Sequence, residues 1–170
     1  LGTKQGIEYN AMIEKATTSY EILLKSQEKA NKMVEELNQL ALDTPFAFEG
    51  LDKASKLMLG MGIAGENVIP MMRVLADSVA AVGGNVDQLE RIALAISQIN
   101  AKGKLSAEEV NQLAENGIPV WATLAEKMNL TTQQVMKLSE EGKLLSANVL
   151  PMIMEGLQET FGGSVQAQAK

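Results

Sequence analysis

The chain has 170 residues, of which 46% are hydrophobic and 4% aromatic, and its net charge is −6. It lacks cysteine and histidine, which excludes disulfides, thiolate nucleophiles, imidazole bases and the commonest zinc ligands. The acidic balance without a basic cluster is atypical of nucleic-acid binders, and no apolar run reaches the roughly 18–20 residues of a membrane span.

The first 25 residues have the weakest helical pattern of the chain. Ile7, Tyr9 and Ala11 alternate with polar residues, and Thr17–Tyr20 consists of side chains that favour strands or turns. These features leave a short β-hairpin open for this part of an otherwise helical chain.

From Ala30 onwards, apolar residues recur with a period close to 3.6, which is the spacing of amphipathic helices. Leu, Ile, Val, Ala and ten methionines supply the apolar faces. Glycine, proline and asparagine breaks separate the periodic segments. We therefore predict an all-α fold, a compact bundle of about seven or eight short helices.

Thr44-Pro45 is the first well-marked break between two helices. Phe46 and Phe48 follow it, and Trp121, the only tryptophan, stands at a later break. Large apolar side chains at such junctions are either core anchors or interface anchors. Both interpretations are open for these three residues.

A six-residue string recurs in the chain, as NVIPMM in Asn67–Met72 and as NVLPMI in Asn148–Ile153. Asparagine is a good N-cap and proline is tolerated in a first turn, so two helices that begin alike would explain the repeat. A duplicated helical unit with pseudo-symmetric packing is the alternative.

Three local signals follow one another after residue 100. Gly103, between two lysines, predicts a helix end. Ser106 and Glu109 have the spacing of a capping box, in which the serine hydroxyl accepts from the Glu109 N–H and the carboxylate reaches back. Gly117 then predicts the end of this helix, and Pro119 suits the first turn of the next.

Residues 124–144 have the spacing of a helix-turn-helix. Ala125 would lie on the first helix and Asn129 in the turn, while Thr131 and Gln134 would form a capping box at the start of the second helix. An adaptor or transcriptional regulator that uses this segment is the alternative function of the chain.

The charge of this segment argues against DNA binding. Residues 121–145 are neutral overall, and Glu140 and Glu141 directly follow the positions that would face DNA, where phosphate would repel them. Those positions are Thr132, Gln133, Met136 and Lys137.

Several motifs keep a fixed order along the chain. Asp43–Phe48 carries a Thr-Pro-Phe-x-Phe turn, residues 102–121 carry Lys-Gly-Lys-Leu-Ser-Ala-Glu-Glu followed by Gly-Ile-Pro-x-Trp, and Phe161-Gly162-Gly163 closes the series. The ordered set resembles the N-terminal conserved domain of the tape measure proteins of long-tailed bacteriophages and prophages.

The resemblance implies a structural and assembly module of a phage tail. In that family a long, mostly helical chain occupies the tail lumen, and its length sets the length of the tail. With its frequent Gly and Pro breaks and no sustained heptads, this chain is unsuited to be the extended ruler. Residues 1–163 would form the helical domain, and the polar residues 164–170 a tail or linker to the rest of a longer protein.

The resemblance also implies partners and a location. We expect contacts with tail tube, tail-end or tail assembly chaperone proteins, or with further copies of the chain, inside the tail tube of a virion assembled in the host cytoplasm. No enzymatic activity, cofactor, metal, nucleic acid or membrane contact is expected of this domain. The candidate contact or structural-motif residues are Thr44, Pro45, Phe46, Phe48, Gly103, Ser106, Glu109, Gly117, Pro119, Trp121, Phe161 and Gly162.

Overall fold

The computed structural model describes residues 3–162. These residues form nine α-helices: α1 (Lys4–Leu24), α2 (Gln27–Asp43), α3 (Phe48–Gly60), α4 (Gly65–Ala81), α5 (Val86–Lys102), α6 (Ala107–Glu115), α7 (Val120–Met128), α8 (Thr132–Glu140) and α9 (Ser146–Phe161). Extended pairing within this range is limited to one antiparallel bridge between Lys104 and Leu145. The all-α prediction is confirmed, with one helix more than the upper number expected.

The additional helix results from a break at Lys25 and Ser26 that the sequence pattern did not reveal. Lys25 has a left-handed backbone with φ 57°, and the Ser26 hydroxyl accepts from the backbone N–H of Lys29 at 3.1 Å. Neither glycine nor proline marks this position, so the sequence has no helix-breaking residue there to indicate the end of α1.

The β-hairpin left open for the first 25 residues is wrong, because residues 4–24 form one helix. The hydroxyls of Thr17, Thr18 and Ser19 each donate to the carbonyl four residues earlier, at 2.8–3.1 Å. These bonds satisfy the β-prone side chains inside the helix. Tyr20 is fully buried and its hydroxyl donates to Asp52 Oδ1 at 2.7 Å, which ties α1 to α3.

Helices α4 and α5 lie at the centre of the bundle. Helix α5 packs against α3, α4, α6 and α9, whereas α4 packs against α2, α3, α5 and α9. Met72 and Leu75 of α4 and Ile92 and Ile96 of α5 are almost completely inaccessible to solvent. The core is built mainly from aliphatic and methionine side chains, as the composition predicted, with Tyr20, Phe46 and Phe48 among its buried residues.

Five helices end in the same hydrogen-bonded pattern, in which an N–H five residues on donates back to a carbonyl of the last turn. At the end of α6, for example, the Ile118 N–H donates to the Leu113 carbonyl at 2.8 Å, and Gly117 between them has φ 87°. The residues with positive φ at these five ends are Gly62, Gly83, Gly117, Asn129 and Gly142. The helix boundaries are therefore set largely by local backbone chemistry.

The recurring string begins α4 and α9 in the same way, but not by the capping that we expected. Asn67 and Asn148 are the third residues of their helices, and the N-caps are Ala64 and Leu145, without side-chain hydrogen bonds. The prolines of the repeat lie in the second turn rather than the first. Both prolines are exposed, so water can solvate the carbonyls that lose a partner. The two helices also pack against each other.

Two glycines permit close helix crossings. A Cβ at Gly50 of α3 would overlap the Val86 side chain of α5, and a Cβ at Gly156 of α9 would overlap the methyl group of Thr123 on α7. Both glycines have ordinary helical backbones, so close approach rather than backbone conformation explains them.

We expect Gly156→Ala to lower the free energy of unfolding by about 1–3 kcal/mol, because the added methyl forces α7 and α9 apart. Thr123→Ser removes the opposing methyl, so the double variant should recover most of the loss. Urea denaturation followed by circular dichroism measures both effects. Gly60→Ala, which meets no atom within 4 Å, is the control and should be neutral or stabilising. Equal losses for Gly156→Ala alone and for the double variant would contradict the crossing argument.

Candidate functional site

The segment with the family-like motif, residues 102–121, runs from the end of α5 to the start of α7. Gly103 ends α5 with φ 79°, and its N–H donates to the Ile99 and Asn100 carbonyls at 3.2 Å each. The left-handed backbone is one that glycine adopts without steric cost, and it turns the chain sharply towards α6.

Ser106 and Glu109 come together, but not as the predicted capping box. Ser106 is the N-cap of α6, yet its hydroxyl donates to Glu109 Oε1 at 2.8 Å instead of accepting from the backbone. Lys102 Nζ donates to the other carboxylate oxygen, also at 2.8 Å. The Glu109 side chain is 1% exposed. A buried carboxylate is costly unless hydrogen-bond donors surround it, so the Ser106 hydroxyl donates to Glu109 instead of capping the helix.

Lys102 reaches this buried carboxylate from the surface, since 42% of its side chain is exposed. Its pKa is raised, mainly by the hydrogen bond to Glu109 and next by the one to Glu108. The side chains of Lys102, Ser106 and Glu109 link the last residue of α5 to the first turn of α6 and so fix the angle between these helices.

A second loop closes against this segment. The Leu105 N–H donates to the Leu144 carbonyl at 2.9 Å, and the Ser146 N–H donates to the Gly103 carbonyl at 3.0 Å. The Ser146 hydroxyl donates to the Ile99 carbonyl. We call residues 103–106 and 142–146, joined in this way, the clasp. Within the clasp, the side chains of Leu105 and Leu144 are buried.

The second half of the clasp was missed when the sequence was analysed for functional residues. Gly-Lys-Leu-Leu-Ser-Ala at residues 142–147 repeats Gly-Lys-Leu-Ser-Ala at residues 103–107 with one insertion. Each copy begins with a glycine of positive φ and leads into a new helix. This short internal repeat was the available signal.

The junction after α6 is fastened to α5 by the side chains around Asn116. Arg91 Nε donates to Asn116 Oδ1 at 3.2 Å, and Gln88 Nε2 donates to the Asn116 carbonyl at 3.1 Å. Pro119 is the N-cap of α7, one residue ahead of the first turn in which we expected it. Trp121 is half-buried and packs on the edge of the core.

The turn between α2 and α3 is a separate site. Thr44 Oγ1 donates to the Leu40 carbonyl at 2.8 Å and accepts from the Phe46 N–H at 3.3 Å, which shapes the turn. Phe46 and Phe48 are each only 4% exposed and belong to the core. Pro45 is exposed and lines a groove of about 670 Å³ with the α4–α5 loop.

The end of α9 carries the remaining candidate residues. Phe161 is half-buried against the core, and the Gly162 N–H donates to the Gln158 carbonyl at 2.7 Å. Gly163 and the expected tail or linker 164–170 lie outside the described residues.

The two helices, the turn and the capping box predicted for residues 124–144 are present in α7 and α8. Thr131 and Gln134 form the predicted capping box, with bonds of 3.1 and 2.9 Å, and Asn129 makes the turn with φ 57°. Val135 is fully buried. The outer face of α8 is exposed at Thr132, Gln133, Met136 and Lys137.

Residues 3–162 contain no cluster of three or more acidic residues able to hold a metal ion. None of their helices combines the length and the hydropathy that crossing a membrane requires.

The site consists of helix ends, an ion pair between a surface lysine and a buried carboxylate, and backbone bonds between loops, and such a construction defines a helical structural module. The sequence model of the family described as tape measure protein matches residues 4–170. The chain therefore belongs to the tape measure protein family, whose members are structural phage proteins, and the resemblance found in the sequence is confirmed.

Individual relatives agree with the family match. The chain is 33% identical over 136 residues to the Mu-like prophage FluMu protein gp42 of Haemophilus influenzae, covering 79% of this chain and 21% of that protein. It is 30% identical over 135 residues to the probable tape measure protein of Lactococcus phage p2, covering 76% and 13%. It is 27% identical over 130 residues to the tape measure protein of Lactococcus phage F4-1, covering 75% and 35%.

These relatives are much longer than the aligned region, since the chain spans between 13% and 35% of their length. No solved structure matches the chain.

We expect Lys102→Met to lower the free energy of unfolding at neutral pH, because it leaves the Glu109 carboxylate buried with the Ser106 hydroxyl as its partner. Lys102→Met combined with Glu109→Gln removes the buried charge and should recover part of the loss. Lys104→Met, at an exposed neighbour, is the control and should stay within about 0.5 kcal/mol of wild type. Urea titration gives the three values, and an equal effect of both lysine variants would refute the role of the ion pair.

The contribution of Lys102 should also depend on pH. A lysine with a raised pKa in the folded state stabilises the protein fully below its unfolded pKa, near 10.5, and loses this effect as the pH rises through the folded pKa. The free energy difference between wild type and Lys102→Met should thus be constant up to about pH 9 and shrink above pH 10.5. A difference that grows at high pH would contradict the assignment.

Proposed function

We propose that this chain is the compact assembly module of a longer tape measure protein. In this role it contributes to tail assembly and tail length determination through contacts with other proteins rather than by extending along the tail. Residues 1–163 act as the module, and residues 164–170 lead to the remainder of the protein. The observation that carries the proposal is the family match over residues 4–170, which falls on a bundle of short, mutually packed helices.

The helix lengths support this division of labour. The longest helix in the described range, α1, has 21 residues and therefore spans only about 32 Å. Each helix packs against at least one other helix, and the connections between the helices are short. A bundle of this kind supplies surfaces for binding, whereas a ruler needs a continuous extended segment.

The proposed partners are tail tube, tail-end or tail assembly chaperone proteins, or further copies of the chain, and the proposed location is the lumen of the tail tube. Membership of the family supports a partner among tail proteins. The half-buried Trp121 and the exposed Pro45 are candidate contact residues, since each lies at a helix junction with surface to offer. Phe46 and Phe48 would support the Pro45 turn from within the core.

We expect in-frame deletion of residues 1–163 from the full protein, in its phage or prophage, to abolish tail formation. The reason is that the deletion removes assembly contacts rather than ruler length. Electron microscopy of the particles measures the number and length of the tails.

The matched control is an in-frame deletion of the same length in the extended part of the protein. It should leave tails in place and shorten them by about 1.5 Å per deleted residue, as expected for a helical ruler. If deletion of residues 1–163 instead gives complete tails with the same shortening as the control, the module is part of the ruler and the proposal fails.

A further inference from the structure

The junction between α6 and α7 contains Asn116 followed by Gly117, and no other asparagine in the sequence precedes a glycine. Asparagine is among the chemically less stable residues, because the backbone nitrogen of the next residue can attack its side-chain amide. A side chain on that next residue hinders the attack, and glycine has none. Asn116 is therefore expected to be the most reactive asparagine of the chain.

The reaction at such a pair is a deamidation that consumes water and releases ammonia. The Gly117 backbone nitrogen loses its proton and forms a bond to Cγ of Asn116, the Cγ–Nδ2 bond breaks, and the amide nitrogen takes up a proton and leaves as ammonia. Water then opens the cyclic imide at either carbonyl, which gives aspartate or isoaspartate. Nothing is oxidised or reduced, and water is the only co-reactant.

The folded backbone keeps the reacting atoms apart. The ring requires the Gly117 nitrogen to eclipse the Asn116 Cβ, which corresponds to a ψ of about −120° for tetrahedral geometry at Cα. In the structure the ψ of Asn116 is 16°. The Gly117 N–H also donates to the Ala114 carbonyl at 3.0 Å, which holds the proton that the reaction must remove. Ring closure therefore requires the end of α6 to open first.

The Asn116 side chain is held at both of its polar atoms. Its Oδ1 accepts from Arg91 Nε at 3.2 Å, and its Nδ2 donates to the Gln112 carbonyl at 2.8 Å. Ile118, which is 3% exposed, anchors the chain just beyond the reacting pair. These contacts oppose the opening, whereas Gly117 is already exposed to water.

The products do not fit the junction that the asparagine makes. Arg91 retains a partner, but a carboxylate cannot donate to the Gln112 carbonyl. The new negative charge also stands beside Glu115 at the C-terminal end of α6, where the helix dipole is itself negative. Isoaspartate adds a methylene to the backbone directly before the left-handed turn at Gly117. Deamidation is therefore expected to weaken the α6–α7 junction.

We propose that Asn116 is a site of spontaneous modification by water, and that the folded α6–α7 junction holds this reaction back. A chain that stays unfolded, or whose junction opens, is converted to aspartate or isoaspartate at this position. The change is irreversible, so it prevents the original junction from forming again. The reaction needs this chain and water alone, and it is independent of any tail partner.

The first test compares the 170-residue chain in its folded state with the same chain unfolded in guanidinium chloride, in one mildly alkaline buffer. Peptide mass spectrometry follows the mass gain and the isoaspartate content at each asparagine. In the unfolded chain Asn116 should react before Asn129, which precedes leucine. Folding should slow the reaction at Asn116 by at least about tenfold, because only opened junctions react. Another asparagine reacting first in the unfolded chain, or equal rates at Asn116 in both states, would overturn the proposal.

Substitution of two arginines separates opening of the junction from global unfolding. Arg91→Met frees the Asn116 side-chain oxygen and should speed the reaction in the folded chain several-fold. Arg73→Met is the matched control: it breaks the ion pair with Asp43 elsewhere in the bundle and should leave the rate within about twofold of wild type. Urea denaturation gives the global stability of both variants. Equal acceleration in the two variants, or none in Arg91→Met, would refute protection by the junction.

The consequence for the fold is measured on chain that has been modified while unfolded and then refolded. Its urea midpoint should be lower than that of chain unfolded only briefly and refolded in the same way. Asn116→Ser, which has no amide to lose at this position, should keep the same midpoint after the long treatment as after the brief one. Equal midpoints for the modified and unmodified wild-type chains would contradict the loss of the junction.

Discussion

The clasp between residues 103–106 and 142–146 is the constraint on which the second half of the bundle depends. Its two loops are distant in sequence, and two backbone hydrogen bonds join them, Leu105 to Leu144 and Ser146 to Gly103, while the Ser146 hydroxyl also donates to Ile99 in α5. Because the first loop ends α5 and the second begins α9, the clasp fixes where the last helix starts relative to the central one. Helices α6, α7 and α8 then lie in a closed stretch of chain whose ends are held together.

Glu109 adds a second constraint next to the clasp. A carboxylate that is almost fully buried is costly unless donors surround it, and here an ammonium group and a hydroxyl both donate to it. The same arrangement explains why Ser106 makes no capping bond: its hydroxyl group donates a hydrogen bond to the Glu109 carboxylate. The Lys-Gly-Lys-Leu-Ser-Ala-Glu-Glu string is therefore best understood as one structural unit that ends a helix, pairs with a distant loop and starts the next helix.

A bundle held in this way suits the role we propose for it. The short helices pack on one another and leave several surfaces exposed, and in the proposed role the rest of the tape measure protein would supply the length.

Much of the fold could be predicted from the sequence alone, because it is determined locally. The apolar period identified the helices, and glycine, asparagine and capping residues located most of their ends, as at Gly103, Gly117 and the Thr131–Gln134 box. The ordered motifs identified the family.

What only the tertiary structure decided depends on contacts between distant residues. Tyr20 holds the N-terminal residues as a helix through its burial and its bond to Asp52. The burial of Glu109 redirects Ser106, and residues 142–146 complete the clasp. Local propensity contains no information about these three features, since in each case the energy comes from a partner that the chain meets only after it has folded.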